Sequence, residues 1–307
     1  MNVMCKENCV SDKETKEIKM DRIVKKAYAK INPVLDVLRR REDGYHELRM
    51  IMQTVNIYDT LELAKQESGI RLTCDTGLLP CDDGNIIYRA ARLMQETFSL
   101  QEGIEIHLTK KIPMAAGMAG GSADAAATLH GMNELFALNL TTEQLCELGV
   151  KLGADVPYCV MGGTMLAEGI GEKLTALPSM PECVLVVAKP DFDVSTKYVY
   201  ENLHANELKD HPNVDGMIAA IKTDDLQSVA EHMENVLERV SVQKYPQIAE
   251  LKQLMCNRGA LNALMSGSGP SVFGLFTDEE VAELCAKEIR EQGLAGQVFV
   301  TNFYKPE

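Results

Sequence analysis

The sequence lacks the features that mark secreted, membrane-spanning and zinc-binding proteins. No apolar run reaches the length needed to cross a membrane, and the first residues contain no apolar segment typical of a signal peptide. The nine cysteines form no C-x-x-C pair and show no Cys/His spacing typical of a zinc site. This cysteine usage is typical of a reducing compartment, so we expect a cytoplasmic protein with no membrane partner.

The chain also lacks the basic excess of a nucleic-acid-binding protein. It has 31 Lys and Arg against 45 Asp and Glu, a net charge of -14, and we therefore expect no nucleic-acid partner. Residues 22–49 are the exception, with eight basic and four acidic side chains. A local basic excess of this kind suits an anionic small molecule, although a solvated face accounts equally for such a cluster.

Length and patterning predict two folded domains preceded by a leader. With 307 residues the chain exceeds the usual size of one domain. Residues 1–20 are polar and show no apolar periodicity, so we predict a disordered leader, with Met20 as a possible natural start. We predict an N-terminal domain over 21–166 and a C-terminal domain over 167–307. Alternating strand and helix patterns predict an α+β fold, with an antiparallel sheet after residue 180.

The helix and strand patterns predict particular boundaries. We predict a strand from residue 22, a second strand around 34–38, and further strands at 48–55 and 59–63. A helix capped by Asn85 is predicted to run to Phe98, and another capped by Thr141 or Thr142 to about Leu152. The helix that follows the glycine-rich loop is predicted to end near Asn139.

Residues 110–126 form a glycine- and alanine-rich loop that opens this last helix, KKIPMAAGMAGGSADAA. Small side chains let backbone N–H groups approach an anion, and a helix N-terminus adds partial positive charge. Ser122 supplies a hydroxyl there, and Asp124 supplies a carboxylate in the first helical turn. The loop has neither the lysine of a P-loop nor the glycine spacing of a Rossmann fold. A phosphate cradle and a tight helix–sheet contact are both consistent with it.

Three further stretches carry residue types suited to chemistry. Lys30 and Asn32 lie in an apolar strand, where a lysine that faces inward needs an anion; a lysine that faces solvent is the alternative. Tyr45 and His46 follow a turn and could stack on a planar ring, or could simply end a half-buried strand. Asp155 follows a predicted helix, and a carboxylate near a lysine suits deprotonation of a hydroxyl, although aspartate is also a common turn residue.

These stretches occur together in an order that resembles a known family. In chain order they are AKIN, DGYHEL, PMAAGMAGGSADAA, LGADVP and MSGSGPS. From about residue 22 to near residue 300 the chain resembles the GHMP kinase superfamily. The resemblance implies an N-terminal domain like the second domain of ribosomal protein S5 and a ferredoxin-like C-terminal domain, with ATP and substrate in the cleft between them. DGYHEL and LGADVP imply a small-molecule substrate that carries a cytidine diphosphate.

The resemblance also implies roles for individual residues. Lys30 and Asp155 are expected to be catalytic, Asp155 as the carboxylate that accepts the hydroxyl proton. Asn32, Tyr45 and His46 are expected to bind the substrate, the last two at its cytosine end. ATP is the expected co-substrate, with Mg²⁺, for which Ser122 is the one candidate ligand. The expected ATP-binding residues are Pro113, Met114, Ala115, Ala116, Gly117, Met118, Ala119, Gly120, Gly121, Ser122, Ala123, Gly267, Ser268 and Gly269.

Two positions depart from the family pattern. Ala123 stands where many members carry a second serine, and Pro33 stands where leucine is usual, which removes one backbone N–H from the strand. Neither change affects Lys30 or Asp155, so we expect an active enzyme. The rival hypotheses are a kinase of homoserine, mevalonate or a sugar, which would not need Tyr45 and His46, and a binding protein that has lost catalysis.

Overall fold

The computed structural model describes residues 21–305, and the predicted leader over 1–20 lies outside the described residues. Two sheets, each covered by helices, make up this part of the chain. None of the helices found between residues 21 and 305 combines the length and the hydropathy that a bilayer-spanning helix requires.

The strands and helices are numbered in chain order. The strands are β1 (Arg22–Arg40), β2 (His46–Gln66), β3 (Ile70–Cys74), β4 (Gly103–Thr109), β5 (Thr164–Gly169), β6 (Lys173–Ala176), β7 (Val184–Lys189), β8 (Glu234–Asn235), β9 (Asn262–Met265), β10 (Val272–Phe276) and β11 (Gln297–Asn302). The α-helices are α1 (Ile86–Phe98), α2 (Gly120–Leu135), α3 (Thr142–Val150), α4 (Val156–Met161), α5 (Thr196–Asn202), α6 (Val214–Lys222), α7 (Leu226–Glu231), α8 (Glu238–Lys244), α9 (Gln247–Asn257) and α10 (Glu279–Glu291).

The larger sheet is built on the antiparallel pair of β1 and β2. Its order is β3-β4-β2-β1-β8, and β5 pairs with both β2 and β6. The sequence predicts four separate strands over 22–63, which is wrong, because β1 and β2 each continue through register shifts. One shift, between Ile31 and Val34, contains Pro33. A strand tolerates proline at a bulge because the ladder there needs no N–H from it.

Helices α1 and α2 cover one face of this sheet. The Asn85 side chain accepts a hydrogen bond of 2.9 Å from the Ile87 N–H, so the predicted cap is confirmed. Thr141 is the cap of α3, where it forms a reciprocal capping box with Gln144. The prediction that α2 continues to Asn139 is wrong, since the helix ends at Leu135. The residues beyond it include two with left-handed backbone, which cannot extend a right-handed helix.

The smaller sheet is antiparallel with the order β11-β7-β10-β9, which is the strand order of a ferredoxin-like domain. The predicted α+β fold is confirmed, including the antiparallel sheet after residue 180. A domain boundary after residue 166 would divide β5, whose hairpin with β6 belongs to the larger sheet. Strand β8 also joins that sheet from the second half of the chain.

Candidate active site

A cavity of about 1180 Å³ opens where the two sheets meet. It is lined by β1, by the turn between β1 and β2, by the glycine-rich loop, by the start of α4 and by α5. Nearly all of the residues predicted for the site line this one cavity. The two exceptions are Gly269, which lies beyond it, and Ala123, which lines a separate pocket of about 190 Å³. The departure at Ala123 therefore removes no group from the cavity.

The glycine-rich loop reaches the cavity as the N-terminus of α2. Gly117 and Ala119 have left-handed backbone, with φ of 70° and 56°, and these turns bring the chain into the helix at Gly120. Ala119 has no side chain to cap the helix, so the first-turn N–H groups have no side-chain acceptor at that position. Ser122 lies in this turn and lines the cavity. The loop can therefore offer backbone N–H groups and one hydroxyl to an anion.

Lys30 lies beneath this loop and is only 5% exposed. Its Nζ donates to Asn32 Oδ1 at 2.7 Å and to the Gly117 carbonyl oxygen at 3.3 Å. Its backbone N–H donates to the Met118 carbonyl at 3.1 Å, which fastens the loop to β1. The alternative that Lys30 faces solvent is thus wrong. Both side-chain partners are neutral oxygens, so the ammonium charge remains available to an anion in the cavity.

Asp155 lines the same cavity at the N-terminus of α4. It is half-buried, and Pro157 in the first helical turn suits a helix that starts here. Within residues 21–305 its carboxylate accepts no capping hydrogen bond and forms no ion pair, including with Lys30. The structure thus brings the two predicted catalytic residues to one cavity without joining them. The free carboxylate can accept a proton from a hydroxyl that lies between them.

Aromatic and imidazole side chains lie at another part of the cavity. Tyr45 is 61% exposed, and the rings of His46 and Tyr200 have centroids 4.9 Å apart. Burial, with a smaller effect from Arg40, lowers the pKa of His46, which favours the neutral ring at pH 7. Burial, with a smaller effect from Asp155, raises the pKa of Tyr200. Sequence reasoning missed Tyr200 because α5 is distant along the chain and no motif marks it.

A buried ionic cluster, formed by Asp59, Lys110 and Asp124, lies behind the glycine-rich loop. Lys110 Nζ donates to Asp59 and, at 2.9 Å, to Asp124 Oδ2. Burial disfavours the charge of Lys110, but Asp124 and Asp59 outweigh burial and raise its pKa. Burial, reinforced by Asp59 and opposed by Lys110, raises the pKa of Asp124 well above its usual range. Asp124 Oδ1 is buried and has no hydrogen-bond partner in the described part of the chain.

The fold and this site define a GHMP kinase. The family model for the GHMP kinase N-terminal domain matches residues 85–163, and that for the C-terminal domain matches residues 217–294. The chain belongs to the GHMP kinase family.

Close relatives share one name. A 4-diphosphocytidyl-2-C-methyl-D-erythritol kinase of Lachnospira eligens is 52% identical over 288 residues, which cover 94% of this chain and 100% of the relative. One of Clostridium novyi is 50% identical over 260 residues, 85% of this chain and 93% of the relative. The crystal structure of a 4-(cytidine 5'-diphospho)-2C-methyl-D-erythritol kinase has a TM-score of 0.80 and 31% identity, and covers 92% of this chain and 100% of its own. Homoserine kinase from Cytophaga hutchinsonii, with a TM-score of 0.72 and 24% identity over 92% and 95% of the two chains, shares the fold.

Proposed function

We propose that the protein transfers the γ-phosphoryl group of ATP to the 2-hydroxyl of 4-diphosphocytidyl-2-C-methyl-D-erythritol. The products are the 2-phosphate and ADP, in the non-mevalonate pathway to isoprenoid precursors. The observation that carries the proposal is one cavity that combines the glycine-rich loop, Lys30 and the free carboxylate of Asp155 with an aromatic end, formed by Tyr45, His46 and Tyr200. The names of the relatives support the same substrate. The unpaired cysteines of the described chain support action in the cytoplasm.

In the proposed reaction Asp155 accepts the proton as the substrate hydroxyl attacks the phosphoryl group. Lys30 supplies positive charge to the group in transfer, while Asn32 fixes the lysine. Backbone N–H groups of the loop, from Gly117 to Ser122, hold the phosphates of ATP. Phosphoryl transfer needs little covalent help from the protein, so position and charge neutralisation supply most of the rate.

We propose that the reaction requires Mg²⁺ in addition to ATP. Among residues 21–305 no group of three or more His, Cys, Asp or Glu could hold a metal by itself. Mg²⁺ fits nonetheless, because it is usually held by one or two carboxylates together with substrate phosphates and water. The buried, unpartnered Oδ1 of Asp124 and the hydroxyl of Ser122 are the groups that would hold it. Bound there, the ion would neutralise phosphate charge.

The aromatic end of the cavity accounts for the cytidine part of the substrate. We propose that the base lies between Tyr45 and Tyr200, with His46 as a hydrogen-bond partner. The exposure of Tyr45 leaves its face open to a planar ring. Stacking on aromatic side chains contributes about 1–3 kcal/mol per base. Homoserine and mevalonate carry no base, and they serve as control substrates.

The proposal predicts that Asp155→Asn lowers kcat about 100-fold or more with the cytidyl substrate, since proton transfer contributes roughly 10²–10⁴-fold. The amide keeps the size of the side chain but cannot accept the proton. ADP release from ATP and Mg²⁺ measures the rate. Asp215→Asn is the matched control, because Asp215 is 76% exposed and pairs with Arg49 outside the cavity.

Turnover with the cytidyl substrate alone, lost in Asp155→Asn and kept in Asp215→Asn, would support both the substrate and the role of Asp155. Turnover with homoserine or mevalonate alone would keep the kinase fold and reject the cytidine-binding role of Tyr45 and His46. Nucleotide binding without any turnover would favour a binding protein.

A further inference from the structure

The carbonyl oxygen of Gly117 accepts hydrogen bonds from the two halves of the chain. Lys30 Nζ, from the larger sheet, donates to it at 3.3 Å, and Ser266 Oγ, from the turn after β9, donates to it at 2.9 Å. The shorter of the two bonds is therefore the one from the serine. The Gly117 oxygen thus connects the proposed catalytic lysine, the glycine-rich loop and the second half of the chain.

The loop and the turn that carries Ser266 are in direct contact. A Cβ atom built on Gly117 would lie 2.1 Å from the Ser266 carbonyl oxygen, and one built on Gly267 would lie 3.0 Å from the Gly117 oxygen. Neither glycine position has room for a side chain. The hydrogen bond from Ser266 fixes the direction in which the Gly117 carbonyl points.

The backbone around Ser266 is fixed by hydrogen bonds. Ser266 is fully buried, and its N–H donates to the Ser271 carbonyl at 2.9 Å. The Asn235 amide donates to the Met265 and Gly267 carbonyls, both at 2.8 Å, on either side of it. Asn235 lies in β8, which pairs with β1 at Leu35, a few residues beyond Lys30. These bonds therefore connect the turn that carries Ser266, through β8, to β1, the strand that carries Lys30.

We propose that Ser266 is a positioning residue for phosphoryl transfer: by fixing the Gly117 carbonyl it sets the place of the Lys30 ammonium group and of the loop. This inference rests on the proposed kinase function and deepens it. Ser266 does not line the cavity, so it acts through Gly117 and Lys30 and not on the substrate. Without the hydroxyl, the Gly117 oxygen keeps only the longer bond from the lysine, and both groups gain freedom.

The chain offers a matched control for this serine. Ser271 ends the same turn and is also fully buried, but its Oγ has no hydrogen-bond partner among residues 21–305. Ser266→Ala and Ser271→Ala therefore each remove a hydroxyl oxygen from a fully buried position of the same turn, and only the first removes the bond to Gly117. We expect kcat to fall about tenfold in Ser266→Ala, with the KM for the alcohol substrate unchanged, and to stay within about twofold in Ser271→Ala.

Two additional variants separate positioning from packing. Ser266→Cys keeps the shape of the side chain, with a slightly larger atom, but offers a weaker donor, so its kcat should lie between those of the wild type and Ser266→Ala. Ser266→Thr keeps the hydroxyl and should recover part of the rate. ADP affinity, measured by calorimetry, should fall about threefold in Ser266→Ala and not in Ser271→Ala. Thermal unfolding shows whether each variant is folded.

Equal kcat in Ser266→Ala and Ser271→Ala, or a wild-type rate in Ser266→Cys, would overturn the proposal. If Ser266→Ala does not fold, the rate of Ser266→Cys decides. The proposed substrate is tested separately by the wild-type enzyme. If the wild type phosphorylates another alcohol, the kcat values of the variants are compared with that substrate. If it phosphorylates none, the ADP affinities of Ser266→Ala and Ser271→Ala decide.

Discussion

Two buried lysines near the glycine-rich loop have opposite surroundings. Within residues 21–305, Lys110 forms ion pairs with the carboxylates of Asp59 and Asp124, whereas the side chain of Lys30 donates hydrogen bonds only to the neutral oxygens of Asn32 and Gly117. Hydrogen bonds to neutral oxygens reduce the cost of burying an ammonium group without cancelling its field. This difference fits a structural role for Lys110 and leaves the charge of Lys30 available to an anion in the cavity, as its proposed role requires.

At the level of single residues, Gly117→Ala should lower both stability and activity. The added Cβ would meet the Ser266 carbonyl, and φ of 70° is unfavourable for any residue with a Cβ. We expect the free energy of unfolding to fall by more than about 2 kcal/mol and kcat to fall at least about tenfold. Urea unfolding and ADP release measure the two effects.

Gly293→Ala is the control for the backbone contribution alone. Gly293 has φ of 64°, and a Cβ atom there would meet no atom of residues 21–305 within 4 Å. This variant should lose about 1–2 kcal/mol and keep its activity. Equal losses of stability in the two variants would contradict the contact between the loop and the turn that carries Ser266.

Among the elements, the buried ionic cluster fastens the start of α2 to the larger sheet. Asp59 lies in β2, Lys110 follows β4, and Asp124 lies in the first turns of α2. Asp59 Oδ1 also accepts from the backbone N–H groups of Lys111 and Ile112, at 2.5 and 2.8 Å. The cluster therefore holds the segment that leads into the loop as well as the helix that follows it.

Lys110→Met should lower the free energy of unfolding by about 3–5 kcal/mol, because it leaves two buried carboxylates without a counter-charge. Urea unfolding without nucleotide measures the loss. In the control, Lys287→Met, the lysine is 66% exposed and 3.7 Å from Glu291, and the change should cost no more than about 0.5 kcal/mol. A small loss in Lys110→Met would contradict a structural role for the cluster.

Local signals made some elements predictable from the sequence and left others out of reach. The side chain of Asn85 caps a helix within two residues of itself, so the sequence contains the whole interaction. The continuity of β1 and β2 depends on register shifts against a partner strand, which no local pattern records. The same limit applies to the site: Lys30 was predictable from its motif, but the contact of Tyr200 with His46 joins distant segments.

In the whole molecule, the last described residues return to the first sheet. Phe303 forms a bridge with Val55, the Tyr304 N–H donates to the Thr54 carbonyl at 2.9 Å, and the rings of Tyr304 and Tyr28 stack with centroids 3.8 Å apart. Together with β8, this return connects the second half of the chain to the larger sheet. The two halves are therefore interdependent.

Truncation after Asn302 should lower the free energy of unfolding by about 3 kcal/mol, the typical cost of losing a buried aromatic side chain. The midpoint of urea unfolding measures the change. Truncation after Lys305, which keeps the bridge and the stacked rings, gives the reference midpoint. Equal midpoints for the two truncated chains would show that the return contributes nothing.

The late arrival of β8 and Phe303 at the larger sheet has a consequence for synthesis on the ribosome. Residues 22–176 emerge first, but the partners of β1 at Leu35 and of β2 at Val55 come from residues 235 and 303. The nascent sheet therefore keeps part of its backbone unpaired until residues 234, 235 and 303 have been translated. Translation of residues 22–176 is not sufficient for this enzyme to reach its native state.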